Sequence, residues 1–220
     1  MSINHEFIKE ICNYNIVLVA VTKNRTIEEI KNLVSLGIKN IAENKIQEAE
    51  KKYFLLKDFL KSNNVKFHFI GHLQKNKVKK AVLMFDVIQS VDSYELAFEL
   101  NKRAFEIKKI QEIFIQVNIG KEKQKFGVEK EKLFDLIEKI KDLKNLKLNG
   151  LMCIAPFFDD AEKTRPYFRE MKFLYDKINN KLSNEKKKID FLSMGMTNDY
   201  KIAIEEGSNM VRIGRGLFLD

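Results

Sequence analysis

The sequence predicts an α/β fold: a single (β/α)8 TIM barrel with an extra helix at its N-terminus. Eight short apolar runs recur along the 220 residues, and each of the first seven is followed by a charged run with helical spacing. No Pro-, Gly- or Ser-rich stretch divides the chain, and no shift in composition marks a second unit. Residues 1–220 therefore read as one domain around one sizeable core. Repeated strand-then-helix units imply parallel strands joined by right-handed crossovers, and eight such units suggest a closed barrel. A doubly wound open sheet is the alternative, with its ligand at a switch point instead.

The elements follow in order. IVLVAVTK (16–23) is nearly continuous apolar, as a strand buried on both faces should be. TIEEIKNLVSLG (26–37) has Ile27, Ile30, Leu33 and Val34 at helical spacing. Thr26 with Glu29 forms a capping box and Gly37 is a helix stop. The later strands are read at 40–44, 66–73, 86–92, 112–120, 146–156, 189–195 and 209–218. Helices are read after each but the last, with TNDYKIAIEEG (197–207) the final one.

Composition narrows the function. Net charge is +9, yet the lysines are scattered in pairs, with Lys186-Lys187-Lys188 the one triple, and arginines are few. This describes solvated helix faces rather than a nucleic-acid surface. No apolar run is long enough to span a bilayer and the N-terminus lacks a signal-peptide core, so a cytoplasmic protein is expected. Cys12 and Cys153 lack metal-site spacing and read as buried thiols. His68 and His72 lie on a strand and its end, where their side chains need not converge, so packing is expected rather than metal binding. Phe67 and Phe69 read as core, as do most of Tyr167, Phe168, Phe173 and Tyr175. No P-loop, GxGxxG or nucleophile elbow occurs.

A barrel of this kind carries its site at the C-terminal ends of its strands. Lys23 closes the first strand, where an apolar surround would desolvate its ammonium and favour the neutral, nucleophilic amine. By position alone it reads equally as a strand-ending lysine reaching water. FLSMGMTNDYKIAI (191–204) is a strand, a Gly-containing loop and a helix start, where N–H groups and hydroxyls can receive phosphate. VRIGRG (211–216) ends the last strand, and loops after the seventh and eighth strands are the usual phosphate cradle of this barrel. An amine beside a phosphate cradle fits either a sugar phosphate or pyridoxal phosphate; spacing does not separate them.

Eight segments carry a more specific signal: AVTKN (20–24), AENKIQE (42–48), FHFIGHLQKNK (67–77), QSVDS (89–93), KFGV (125–128), NGLMCIAP (149–156), LSMGMTNDY (192–200) and GSNMVRIGRGLF (207–218). Together, and in this order, they resemble the pyridoxal phosphate homeostasis protein family over nearly the whole chain. The resemblance implies a barrel like the N-terminal domain of alanine racemase, with the cofactor in Schiff-base linkage to Lys23. It also implies phosphate contacts from Ser193, Gly195, Met196, Thr197, Arg212, Ile213 and Gly214, and a cofactor-facing Asn44. Ala42 departs from the family's usual Gly, Thr197 from its usual Ser, and the tail GLFLD from its usual ending.

The implied function is to carry or buffer pyridoxal 5′-phosphate without strong catalysis, with PLP-dependent apoenzymes as recipients and a monomer as the working form. The alternative is a PLP-dependent amino-acid racemase. A racemase resembling alanine racemase uses a second β domain and a tyrosine from a partner chain, neither of which is expected here. Resemblance also places Arg212 at the cofactor's ring nitrogen, where a donor-only guanidinium would keep that nitrogen unprotonated. Tyr200 falls inside the predicted last helix and Tyr94 just after the fourth strand, so neither is an obvious second acid–base group.

Overall fold

The computed structural model describes residues 2–122, 126–183 and 188–219. Lys125 of the KFGV segment and Lys186 and Lys187 of the lysine triple lie outside the described residues.

Eight parallel strands close into a barrel in sequence order: β2 (Val17–Val21), β3 (Asn40–Glu43), β4 (Lys66–Phe69), β5 (Val87–Val91), β6 (Gln111–Val117), β7 (Leu146–Cys153), β8 (Phe191–Ser193) and β9 (Met210–Ile213). β2 closes it by pairing with both β3 and β9. The helices are α1 (His5–Cys12), α2 (Ile27–Ser35), α3 (Ile46–Ser62), α4 (Val78–Met84), α5 (Tyr94–Glu106), α6 (Leu133–Ile140), α7 (Arg165–Ser183) and α8 (Tyr200–Glu205). The expected barrel and N-terminal helix are both present.

Local chemistry explains the boundaries. Thr26 accepts from the Glu29 N–H while the Glu29 carboxylate accepts from the Thr26 N–H, the reciprocal capping box. Ser93 caps α5 through the Leu96 N–H. The main core lies between strands and helices, where Phe69, Phe85 and Phe168 are among the largest fully buried side chains. A second cluster fills the barrel interior: Val19, Ala42, Val87, Phe114, Met152 and Met210.

Several details differ from the sequence expectation. Residues 209–218 are not one strand: β9 stops at Ile213, a 3-10 turn spans Arg215–Leu217, and Phe218–Leu219 form β10. β10 pairs antiparallel with β1 (Ser2–Ile3), outside the barrel. α8 starts at Tyr200, three residues later than expected. Cys12 is exposed, because α1 buries Ile8 and Ile11 and its last residue faces solvent. Phe173 is 62% exposed on the outer face of α7, whereas Phe168 is fully buried.

Candidate functional site at the barrel mouth

Successive side chains on a strand point to opposite faces. Val17 and Val19 point into the barrel, and Val21 and Lys23 continue that inner series toward the mouth. By the same count Ala42 is followed by Asn44, and Met210 by Arg212 and Gly214. Lys23, Asn44, Arg212 and Gly214 thus share the inner rim. A Cβ at Gly214 would lie 3.6 Å from Val21 Cβ and 3.7 Å from the Val21 carbonyl oxygen, and Ala20 is in register with Ile213, so the last strand's loop lies beside the Lys23 turn. Lys23 is exposed rather than desolvated, because it sits in the turn beyond the apolar strand.

That turn is held from behind by groups the sequence reading missed. Thr22 is fully buried and its hydroxyl donates to Glu43 Oε1 at 2.7 Å. Lys52 of α3 donates to the Thr22 carbonyl (2.6 Å), Glu43 Oε1 (2.7 Å) and Glu48 Oε1 (2.7 Å). Asn24, at φ 60°, donates its N–H to the same Glu48 oxygen at 2.5 Å. Both neighbours of Lys23 are therefore fixed. Burial pushes the Glu43 carboxyl up, against the hydrogen bonds from Lys52 and Thr22. Lys52→Met would leave Glu43 buried without its cation, a change that costs about 3–5 kcal/mol. Chemical denaturation should show a loss of that size; a loss under about 1 kcal/mol would contradict the clamp.

The two glycine-containing loops meet on the opposite side of Lys23. Arg212 N–H donates to the Gly195 carbonyl at 3.0 Å. Gly195 adopts φ 94°, and a Cβ there would lie 2.6 Å from Ala203 Cβ, so no side chain fits. A Cβ at Gly216 would lie 2.7 Å from the Phe7 ring and 3.1 Å from Thr197 Cγ2, which shows how closely α1 and both loops pack. The Met196 N–H is used by Asp199 Oδ1 at 2.6 Å. The N–H groups of Thr197, Asn198, Arg215 and Gly216 have no partner among the described residues. Ile213 turns its side chain into the outer core, so only its backbone is near the mouth.

Ser193 lies apart from these donors. It is fully buried, accepts from Arg212 Nη1 at 2.7 Å and is 2.8 Å from Gln89 Oε1. It continues the inner series from Phe191, one layer below the loop. Arg212 is 3% exposed and also donates through Nη2 to the Cys153 carbonyl at 2.8 Å. Burial pulls its guanidinium below the usual arginine range. Beyond Gln89, Nε2 is 2.9 Å from His68 Nδ1, and His68 Nε2 is 3.1 Å from Asn40 Oδ1. Asn44 is half-buried and its Oδ1 is buried without a partner. The Ala42 methyl, where the resembling family has glycine, packs in the interior cluster without disturbing the β2–β3–β4 register.

His68 faces the barrel interior, while His72 is exposed and stacks on Phe126 at 3.6 Å between ring centroids, so the two do not converge. No group of three or more metal-ligating side chains occurs among the described residues. Burial, with Lys66 adding to it, pushes the His68 imidazole down to about 3. The unfolded chain, with its histidine near 6.5, takes up this proton first. Stability from this group is present above that value and falls with pH below it, by up to about 1.4 kcal/mol per pH unit. Urea midpoints between pH 4 and 7 should fall more steeply for the wild type than for His68→Gln. Parallel slopes would show that His68 titrates normally.

Comparison with known proteins gives the site a context. The alanine racemase N-terminal domain profile matches residues 1–220. The pyridoxal phosphate homeostasis protein of Aquifex aeolicus is 41% identical over 201 residues, covering 91% of this chain and 85% of that protein. That of Pasteurella multocida is 37% identical over 203 residues, covering 91% and 84%. The chain belongs to the pyridoxal phosphate homeostasis protein family. PipY of Synechococcus elongatus, solved with PLP bound, superposes with a TM-score of 0.86 at 30% identity, covering 97% of this chain and 99% of PipY. Alanine racemase of Clostridium difficile shares the barrel (TM-score 0.74, 19% identity), with this chain covering 58% of it. Among the described residues no helix is long and apolar enough to cross a membrane.

Proposed function

We propose that the barrel mouth binds pyridoxal 5′-phosphate and that the protein serves intracellular PLP homeostasis as a carrier or buffer of the cofactor. One observation carries this reading. An accessible lysine on the inner rim stands beside two abutting loops whose N–H groups lack partners, with a buried cation between them. The residues fit the group: Thr197 and the free N–H groups suit a phosphate, and the orphaned Asn44 Oδ1 suits a donor on the ligand. Pyridoxal phosphate supplies an aldehyde for an amine and an electron-withdrawing ring.

Lys23 would hold the aldehyde carbon through its amine. Thr197 Oγ1 and the backbone of Gly195, Met196, Ile213 and Gly214, with the adjoining Asn198, Arg215 and Gly216 N–H groups, would hold the phosphate. Ser193 is better read as the support of Arg212 than as a phosphate ligand, because both of its hydrogen-bonding roles are already taken. The family resemblance would set the ring nitrogen at Arg212, which would donate to it. A guanidinium does not give up its proton at ordinary pH, so it leaves that nitrogen unprotonated and the ring a weaker electron sink.

This arrangement favours carriage over catalysis. Racemisation needs a second acid–base group opposite the lysine. The Tyr200 hydroxyl is hydrogen-bonded to Glu10 of α1 at 2.8 Å, and burial with this carboxylate pushes it up to about 12. Tyr94 packs beside Phe98 on α5. We place the protein in the cytoplasm as a monomer, with PLP-dependent apoenzymes as recipients. In heavy water, the alanine α-proton should exchange slowly in the presence of the loaded protein. Exchange at ordinary enzyme rates, about 1 s⁻¹ or faster, abolished by Lys23→Ala, would overturn the carrier reading in favour of a racemase.

A further inference from the structure

Arg212 is a buried cation with no carboxylate at ion-pair distance among the described residues; Asp199 acts on it only from farther away. Neutral dipoles hold it instead. An arginine offers five N–H donors and no acceptor, and the protein takes one through Nη1 and one through Nη2. The remaining donors are available to a ligand. What fixes their direction is the chain of side chains behind Ser193.

The direction of every link in that chain follows from its first member. Arg212 can only donate, so Ser193 Oγ accepts from it and its proton goes to Gln89 Oε1, 2.8 Å away. The Gln89 amide then presents Nε2 to His68 Nδ1, which must be the unprotonated nitrogen. His68 Nε2–H therefore donates to Asn40 Oδ1. Turning the Gln89 amide over would aim two donors at Ser193 Oγ and leave the serine proton with no acceptor. All of these side chains except Asn40 are at most 3% exposed, so water does not substitute for a lost link. Gln89, fully buried on β5, joins the two halves and spans the barrel from β4 to β8.

We propose that Gln89 is a positioning residue for the mouth. Through Ser193 it holds the Arg212 guanidinium in one direction, and because that group only donates, the site selects a ring whose nitrogen is a bare acceptor. The inference rests on the PLP reading above and deepens it. It assigns ring recognition to three interior residues, Asn40, His68 and Gln89, that do not touch the ligand. A ring nitrogen that carries a methyl group has no lone pair and a fixed positive charge, and the oriented guanidinium rejects it.

The test compares PLP with its ring-N-methyl analogue on the full chain. Wild type, Gln89→Met, Gln89→Glu and Ser193→Ala are each loaded, and affinity and visible absorbance are measured. The mass on Lys23 after borohydride reduction reports linkage separately from ring recognition. Wild type should prefer PLP by at least a hundredfold. Gln89→Met and Ser193→Ala should keep the pyridoxyl mass on Lys23, shift the visible band and lose at least tenfold of that preference. Gln89→Glu keeps the acceptor for Ser193, with His68 moving its proton to Nδ1 to donate to the new carboxylate, and should keep the preference, which a merely structural role would not predict. If Gln89→Met does not fold, Ser193→Ala decides, since it cuts the same chain by deleting one oxygen. Wild-type preference and an unmoved band in both variants would overturn the proposal. So would a wild type that loads PLP on Lys23 but accepts the methylated ring equally. A wild type that takes no PLP on Lys23 would instead remove the reading beneath it.

Discussion

Lys23→Ala should abolish the visible absorbance of the PLP-loaded protein and leave no pyridoxyl mass on the chain after borohydride reduction. The phosphate loops do not depend on this side chain, so weaker, fully dialysable binding should remain. Folding should barely change: Lys23 is exposed, its neighbours are held through Thr22, Asn24 and Lys52, and surface substitutions cost about 0.5 kcal/mol or less. Spectral loss would then not be a side effect of unfolding. A variant that keeps a reducible visible band would show that another amine carries the cofactor.

The phosphate should supply the second large effect. Thr197 Oγ1 and the N–H groups of Thr197, Asn198, Arg215 and Gly216 lie on the two loops that pack together beside α1 and α8. Hydrogen bonds to a charged group contribute roughly 1.5–3 kcal/mol each, so three of them exceed 4 kcal/mol. Pyridoxal, which keeps the aldehyde and the ring, should therefore bind roughly a thousandfold more weakly than PLP. Inorganic phosphate should compete with PLP for the Lys23→Ala protein. Equal affinity for the two aldehydes would refute the cradle.

The barrel was legible because each buried strand is a continuous apolar run and each helix carries one apolar stripe, so the change of period marks every boundary. Thr26 and Glu29 announced α2 through chemistry contained within four residues. The misread parts depend on distant partners. Residues 209–218 looked like one strand, but Gly214 to Leu217 turn so that Phe218 and Leu219 can pair with Ser2 and Ile3, some 215 residues away in sequence. α8 starts late because residues 197–199 form a turn in which the Asp199 carboxylate reaches back to the Met196 N–H, leaving Asp199 as the N-cap.

The site divides in the same way. Lys23 and Gly214 are legible because they follow apolar strands, Asn44 only through the family resemblance, and the rim positions of all three follow from counting by two. The same count from Phe191 sends Ser193 inward, which a loop-based reading overlooked. Lys52 was missed since its role lies across the α3–β2 gap, although its spacing of four from Glu48 was visible. Gln89 had a weaker local signal: one amide in the apolar strand VIQSV, whose partners lie on β4, β8 and β9.

The central claim is that PLP is held on Lys23 at the mouth of this barrel. Borohydride reduction of the PLP-loaded protein, followed by proteolysis and mass mapping, tests it most directly. The expected result is a pyridoxyl adduct on the peptide that contains Lys23. An adduct on a different lysine, with the Lys23 peptide unmodified, would contradict it.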